Sequence, residues 1–485
     1  MDYHSKYLKY KEKYLKLKNG GGLIEGGGDL LEGGRDLLEG DKNKLEEGEN
    51  MDFFFNFNEK KPVILNNYEK FNNLSLIETP MKKIGKASAN GFIYKIKFNN
   101  SNKTDSFNTI LKTSIEKSSD NNYYEYVVGN CINKIKEYFP NFVYTFNYLV
   151  LNDSLKKQLN SSNNFVDLPT FINNANIKNI NLNEMQNNIN IGQGCQNNNR
   201  ASVLIEYIPN SLSLGDLTKN PYILSSINNL NTELYNILFQ IYATLSALKE
   251  IYTHYDLHTD NVMFIEIPEG KKIKIDYKLH DKTVSIYTSF VPVILDYGRS
   301  FINCLGIDQT IYSKIFSEVV CNNPNCNSLK HPECSSRNVG LVIDRNKDEN
   351  YSKQDDFYYI NLRNKNESFD LRYLHNLMLS VDESLLIKKA YKKYFDKETN
   401  WVSKDMFGKI KSDKNGTPII NYGVKEDLSD ITYTGKISNT DDCFRWLLSI
   451  HSTFYTTTVP KDLYGIMKIN YNFSEKVKWT FQKNN

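Results

Sequence analysis

The sequence predicts an α+β fold, and three observations lead there. Strand-like runs crowd the stretch from Ile84 to Ile208, and a long apolar run at helical spacing, Leu234 to Tyr252, opens the part that follows. Between that helix and the next strand, Val262 to Ile267, lies a polar loop, His254-Tyr255-Asp256-Leu257-His258-Thr259-Asp260-Asn261, around which the rest of the chain is arranged.

Composition narrows the class. A chain of 485 residues is long enough for a large core or for two lobes, since a domain takes about 100–200 residues. The 60 basic and 57 acidic residues leave a formal charge of +3, so no net field draws the chain to nucleic acid or to a membrane surface. The 33 Tyr and 26 Phe supply ample material for a packed interior. Seven Cys, with no early hydrophobic signal segment, point to a reducing compartment rather than a disulfide framework. No apolar run approaches the ~20 residues of a membrane span, so a soluble intracellular protein is expected.

Residues 1–19 place Tyr3, Tyr7, Tyr10, Tyr14 and Leu17 on one face of a basic amphipathic helix. That helix either docks on its own domain or addresses a partner. Residues 20–50 are Gly-rich and acidic, with Gly28-Asp29-Leu30-Leu31-Glu32-Gly33 nearly repeated at 35–40. So few large apolar side chains cannot offset the ordering of so many glycines, and a flexible linker is expected. No strand precedes these glycines and no Lys-Ser/Thr closes them, which argues against a phosphate loop.

Ordered sequence is expected from about Met51, and a short lead-in then reaches Ile84-Gly85-Lys86-Ala87-Ser88-Ala89-Asn90-Gly91-Phe92-Ile93-Tyr94-Lys95. Small residues between two strand-like pieces let a backbone fold close over phosphates and aim N–H groups at them. Lys112 ends the strand-like run Thr109-Ile110-Leu111, where a buried ammonium needs a partner. Tyr124, Val127, Val128, Cys131, Ile132 and Ile135 form one helical face, and Glu125 on that helix is the partner expected, with Glu116 less favoured. Strands are read at 142–151 and 201–208, separated by an Asn-rich insertion at about 152–200.

The loop at 254–261 offers an Asp and, five residues on, an Asn beside a strand start. An Asp so placed can orient and deprotonate a hydroxyl, and an Asn carbonyl oxygen is a hard ligand for Mg²⁺. Lys272–Leu279 and Val284–Tyr287 read as an extended hairpin, and Pro292-Val293-Ile294-Leu295 runs as a strand into Asp296-Tyr297-Gly298. Cys321, Cys326, His331 and Cys334 could hold structural zinc or be reduced loop cysteines. Helices are expected from Phe369 to Met378 and from Thr440 to Leu448.

In this order the segments resemble the protein-kinase-like superfamily. Residues 254–261 resemble its catalytic loop, Thr109-Ile110-Leu111-Lys112 its Lys-bearing strand, and Asp296-Tyr297-Gly298 its Asp-Phe-Gly. Gly91-x-Ile93-Tyr94-Lys95 resembles the end of its Gly-rich loop, with Ser88 where the middle glycine falls and Gly85 one residue too far off. Val203 to Pro209 resembles the hinge, and Asp370 the helix Asp that holds the catalytic loop. The basic N-terminal run and the wide insertions are similar to those of protein kinases of giant DNA viruses.

The resemblance implies a bilobal fold, with an antiparallel-sheet small lobe over 51–208 and a mainly helical large lobe over 209–485. The large lobe would carry a Cys-rich activation segment at about 300–345. It implies transfer of the ATP γ-phosphoryl group to a protein Ser or Thr. Lys112, paired with Glu125, would hold the α/β-phosphates, and Asn261 and Asp296 would hold Mg²⁺. Asp256 would orient the acceptor, and backbone near Glu206 and Ile208 would bind adenine beside Gly85, Ser88, Gly91 and Ile93. His258 stands where protein kinases carry a catalytic Lys, Tyr255 replaces the Arg that answers activation-loop phosphorylation, and no Ala-Pro-Glu follows. These departures keep open a small-molecule kinase of the aminoglycoside or choline type, and a non-catalytic virion scaffold. Host cytoplasm or virion is the expected location, with a virion partner for the N-terminal helix.

Overall fold

Two aromatic-rich helices, α1 (Gly48–Phe55) and α2 (Phe57–Asn67), stand where only a short lead-in was expected. Their rings form an aromatic core on the strands: Phe53 meets Phe57 at 5.4 Å and Phe107 at 5.3 Å, edge to face. Phe71 lies 4.3 Å from Phe146 and 5.1 Å from Phe98. Each such ring, fully buried, stabilises the fold by about 1.5–3 kcal/mol. Asn50 adds a two-way bond to the sheet, donating to the Asn108 carbonyl at 2.8 Å and accepting its N–H at 3.1 Å.

The structure is a computed structural model, and it describes residues 48–84, 91–114, 122–151, 165–166, 175–178, 201–209, 211–213, 230–268, 271–280, 282–303, 340–343, 357–360, 365, 369–394, 411–412, 418–419, 439–455, 460 and 462–484. Outside them lie the expected N-terminal helix and linker, Gly85 and Ser88, and the Cys321, Cys326, His331, Cys334 cluster.

The strands that follow are β1 (Ile77–Ile84), β2 (Gly91–Asn99) and β3 (Ser106–Ser114), then helix α3 (Asn122–Ile135) and β4 (Thr145–Leu151). Next come β5 (Phe165–Val166), β6 (Ala175–Lys178) and β7 (Ala201–Glu206). Together they make one seven-stranded antiparallel sheet in the order β5-β1-β2-β3-β7-β4-β6. The described pieces of the Asn-rich stretch are thus edge strands, β5 against β1 and β6 against β4. Helix α3 approaches the sheet closely at Gly129, where a Cβ would come within 2.1 Å of the Thr145 hydroxyl. That spacing admits glycine alone.

The second part opens with β8 (Ser211–Ser213) and the buried helix α4 (Leu230–Ala247). Then come β9 (Tyr252–Thr253), β10 (Val262–Glu266), β11 (Lys272–Leu279), β12 (Lys282–Thr288), β13 (Phe290–Ile294) and β14 (Phe301–Ile302). Two short hairpins, β15 (Gly340–Ile343) with β16 (Phe357–Ile360) and β17 (Lys411–Ser412) with β18 (Pro418–Ile419), flank α5 (Leu371–Ser380) and α6 (Leu386–Tyr394). The chain continues with α7 (Thr440–Ser449), α8 (His451–Phe454), β19 (Leu463–Asn470) and β20 (Thr480–Lys483). A curled antiparallel sheet followed by a helix-rich region is the bilobal α+β architecture the sequence predicts.

The expected hairpin β11–β12 is present, and β19 joins it in parallel with β20 beyond. From there the chain reaches back to the helices that pack on the first sheet. Trp479, 2% exposed, donates its indole N–H to the Lys136 carbonyl at 2.7 Å, while Asn58 donates to the Trp479 carbonyl at 2.9 Å. Phe481 packs on Phe55 at 4.9 Å. Among the described residues, no helix is long and apolar enough to cross a membrane.

Candidate active site

Between the two parts, three charged side chains from three elements meet. Lys112 comes from β3, Glu125 from the first turn of α3, and Asp296 follows β13. The Lys112 ammonium lies 2.7 Å from a Glu125 oxygen and 2.8 Å from Asp296 Oδ1. Glu125 is nearly sealed at 3% exposure, whereas Asp296 keeps 34% of its side chain exposed. Burial pushes the Asp296 carboxyl up, but the charge and hydrogen bond of Lys112, helped by His254 and Arg299, outweigh it and pull the carboxyl down to about 2. Asp296 is therefore a carboxylate at any ordinary pH.

The strand ladder sets the spacing of the remaining groups. Val262 of β10 pairs with Ile294 of β13, so Asn261 and Leu295 are neighbours, and the Leu295 N–H donates to the Asn261 carbonyl at 3.1 Å. Asn261 and Asp296 thus emerge at the same end of one antiparallel pair. The Asn261 amide donates to the Asp256 carbonyl at 3.0 Å, which ties the loop together and leaves its own Oδ1 as a hard donor. Asp296 has φ 67°, a left-handed conformation that turns its side chain away from the strand path.

The loop backbone is held from beneath. Asp370, 3% exposed at the start of α5, accepts the His254 N–H at 2.8 Å and the Tyr255 N–H at 3.1 Å. His254 Nε2 lies 2.9 Å from the Leu295 carbonyl, and its Nδ1 accepts the Asp256 N–H at 3.2 Å. Tyr255, also left-handed at φ 62°, buries its ring 4.9 Å from Phe369. The position that the sequence resemblance would assign to an Arg is here a core residue. Tyr297 donates to the Ile294 carbonyl at 2.9 Å and accepts the Val143 N–H at 2.9 Å, anchoring the turn that carries Asp296. Tyr124 of α3 donates to the Ser300 carbonyl at 2.7 Å, so the helix that supplies Glu125 also grips the chain beyond Asp296.

The other predicted residues fall as follows. Gly91 pairs with Ser114 across β2 and β3, and Ile93, 37% exposed, stands opposite Lys112. Ile208 is buried just past β7. Glu206 holds more than a hinge backbone: its carboxylate, 2% exposed, binds the wholly buried Lys136 ammonium at 2.5 Å and accepts the Tyr144 N–H at 2.8 Å. His258 turns Nδ1 onto its own turn, accepting the Asp260 N–H at 3.2 Å, which is a local capping bond. Sequence reasoning passed over Arg299, whose guanidinium lies 3.4 Å from Asp256 Oδ2. Its place three residues after Asp296 was the available signal.

Among the described residues, no group of three His, Cys, Asp or Glu is arranged to hold a metal. Asn261 and Asp296 offer two hard oxygens. That suits Mg²⁺, which takes one or two protein ligands and completes its shell with phosphate and water.

No family model and no curated protein matches this chain. A crystal structure of a kinase domain is similar at 12% identity and a TM-score of 0.25, covering 56% of this chain and 68% of that one.

Proposed function

We propose that this chain is an ATP-dependent phosphotransferase that moves the γ-phosphoryl group to a hydroxyl acceptor. The observation that carries the reading is the Lys112 ammonium held between Glu125 and Asp296 beside the 256–261 loop. A cation fixed between two carboxylates and still partly exposed is suited to the α/β-phosphates of a nucleotide. Asp256 would take the acceptor's proton as the acceptor oxygen attacks the γ-phosphorus and the bond to the β-phosphate oxygen breaks. Mg²⁺, when bound, would supply charge neutralisation on the phosphates, and Asn261 and Asp296 are the residues to hold it. Backbone near Glu206 and Ile208, with Ile93 above, would receive the adenine.

For the acceptor, a protein Ser or Thr is the reading we favour, in the manner of the giant-virus protein kinases that the sequence resembles. The burial of Tyr255, where a phosphate-reading Arg would stand, favours a second reading, a small-molecule kinase of the aminoglycoside or choline type.

Incubation with γ-labelled ATP, Mg²⁺, a protein mixture and a panel of amino alcohols separates the two. Label is expected in protein, and Asp256→Asn should lower transfer by about 10²–10⁴-fold with unfolding unchanged. Label only in an amino alcohol selects the second reading. Nucleotide binding without transfer to anything leaves a scaffold.

A further inference from the structure

We infer that Arg299 supplies the cation that meets the transferred phosphoryl group, a task that protein kinases give to a catalytic-loop Lys and that His258 does not perform here. The inference rests on the phosphotransferase reading above and gives that site a further residue. Three observations carry it. First, His258 occupies the Lys position but spends Nδ1 on the Asp260 N–H. Second, Lys112 is already committed between Glu125 and Asp296. Third, Arg299 lies within the tight turn closed by the bond from Ser300 N–H to the Tyr297 carbonyl at 3.0 Å, and its guanidinium comes 3.4 Å from Asp256 Oδ2.

The Arg299–Asp256 ion pair is long. At 3.4 Å, with the side chains 24% and 29% exposed, it is a loose, partly solvated contact worth little in stability. Arg299 also stands three residues after Asp296 on the same turn, so one guanidinium joins the segment that carries Asp296 to the acceptor-orienting carboxylate. The reacting phosphorus must sit between those two groups. As the acceptor O–P bond forms and the P–O bond to the departing ADP breaks, charge gathers on the γ-oxygens while the acceptor's proton passes to Asp256. A planar guanidinium with several N–H donors is matched to those oxygens, and it stays charged throughout.

The test is binding, with transfer as a second readout. Calorimetry would compare the β,γ-imido analogue of ATP with ADP, each with Mg²⁺, on the wild type, Arg299→Gln and Arg299→Met. Thermal unfolding confirms that the variants fold. Wild type is expected to prefer the triphosphate analogue, and each variant to lose about ten- to a hundredfold for the analogue while ADP affinity stays the same. Transfer should fall by about 10²–10³-fold in kcat with little change in KM for ATP. Equal affinity of wild type for the two nucleotides, or an unchanged preference in the variants, overturns the role of Arg299 and leaves the kinase reading standing. A wild type that binds neither nucleotide overturns both.

Discussion

Helix α3 is joined to the first sheet by a Lys–Glu pair at each end, and the two pairs are built in opposite senses. At its N-terminus the helix supplies Glu125 and the sheet supplies Lys112. Just past its C-terminus the chain supplies Lys136 and the sheet supplies Glu206. Each arrangement puts the charge the helix dipole favours at that end. Their surroundings differ. Lys136 and Glu206 are 0% and 2% exposed, and the ammonium also donates to the Phe142 carbonyl at 2.7 Å and lies 5.0 Å from the Phe54 ring. Lys112 is 16% exposed and faces a second carboxylate, Asp296, which is partly exposed. Identical side chains thus give a closed rivet at one end and a pair with an accessible face at the other. Burial alone pushes the Lys136 ammonium down, and only Glu206 opposes it. A pair so placed is suited to structure, whereas chemistry needs the open one.

Substitutions can break or sharpen this contrast. The largest effect is expected from Lys136→Met, which strands the Glu206 carboxylate in the interior and should cost about 3–5 kcal/mol in urea unfolding. Adding Glu206→Gln should restore more than half of the loss, and a single variant that unfolds at the wild-type midpoint would sink the rivet idea. Next is Lys112→Arg, which keeps a charge between Glu125 and Asp296 but swaps a compact ammonium for a broad fork. Phosphoryl transfer should drop by about 10²–10³-fold while the melting temperature barely moves. Glu125→Gln, which weakens the hold on Lys112 without removing the cation, should lower transfer by about tenfold. The smallest effect concerns pH. Because the folded state holds the Asp296 carboxyl near 2, below its ordinary 3.8, its contribution to stability is complete above pH 3.8 and fades as pH falls through 2. An NMR titration of Asp296 should show that low midpoint, and Lys112→Met should raise it.

What the sequence made legible was local. The period of Leu234 to Leu248, the strand ending in Lys112 and the Asp–Asn spacing of the 256–261 loop each carry their meaning within a few residues. The partnership of Lys112 with Glu125 was legible too, because an ammonium ending a buried strand demands a carboxylate nearby. Asp370 could be picked by its place in the chain, and it does hold the loop backbone. Lys136 and Glu206 gave no such signal: they are ordinary charged residues 70 positions apart, and only the fold shows that both are buried. The Asn-rich stretch hid β5 and β6 because short edge strands need no apolar alternation. Helices α1 and α2 hid behind Phe53-Phe54-Phe55, whose triple aromatic run carries no clear period.

The docking of Trp479 has a consequence for how the chain acquires its shape. Asn58 and the Trp479 carbonyl it binds are separated by 421 positions, and the indole bond to the Lys136 carbonyl spans 343. Loops that long close late, after contacts that lie nearer in sequence. The half that holds the first sheet is thus assembled from sequence on both sides of the other half. It should gain its full rigidity only when the Trp479 segment has docked, after the pairings of its own sheet have formed.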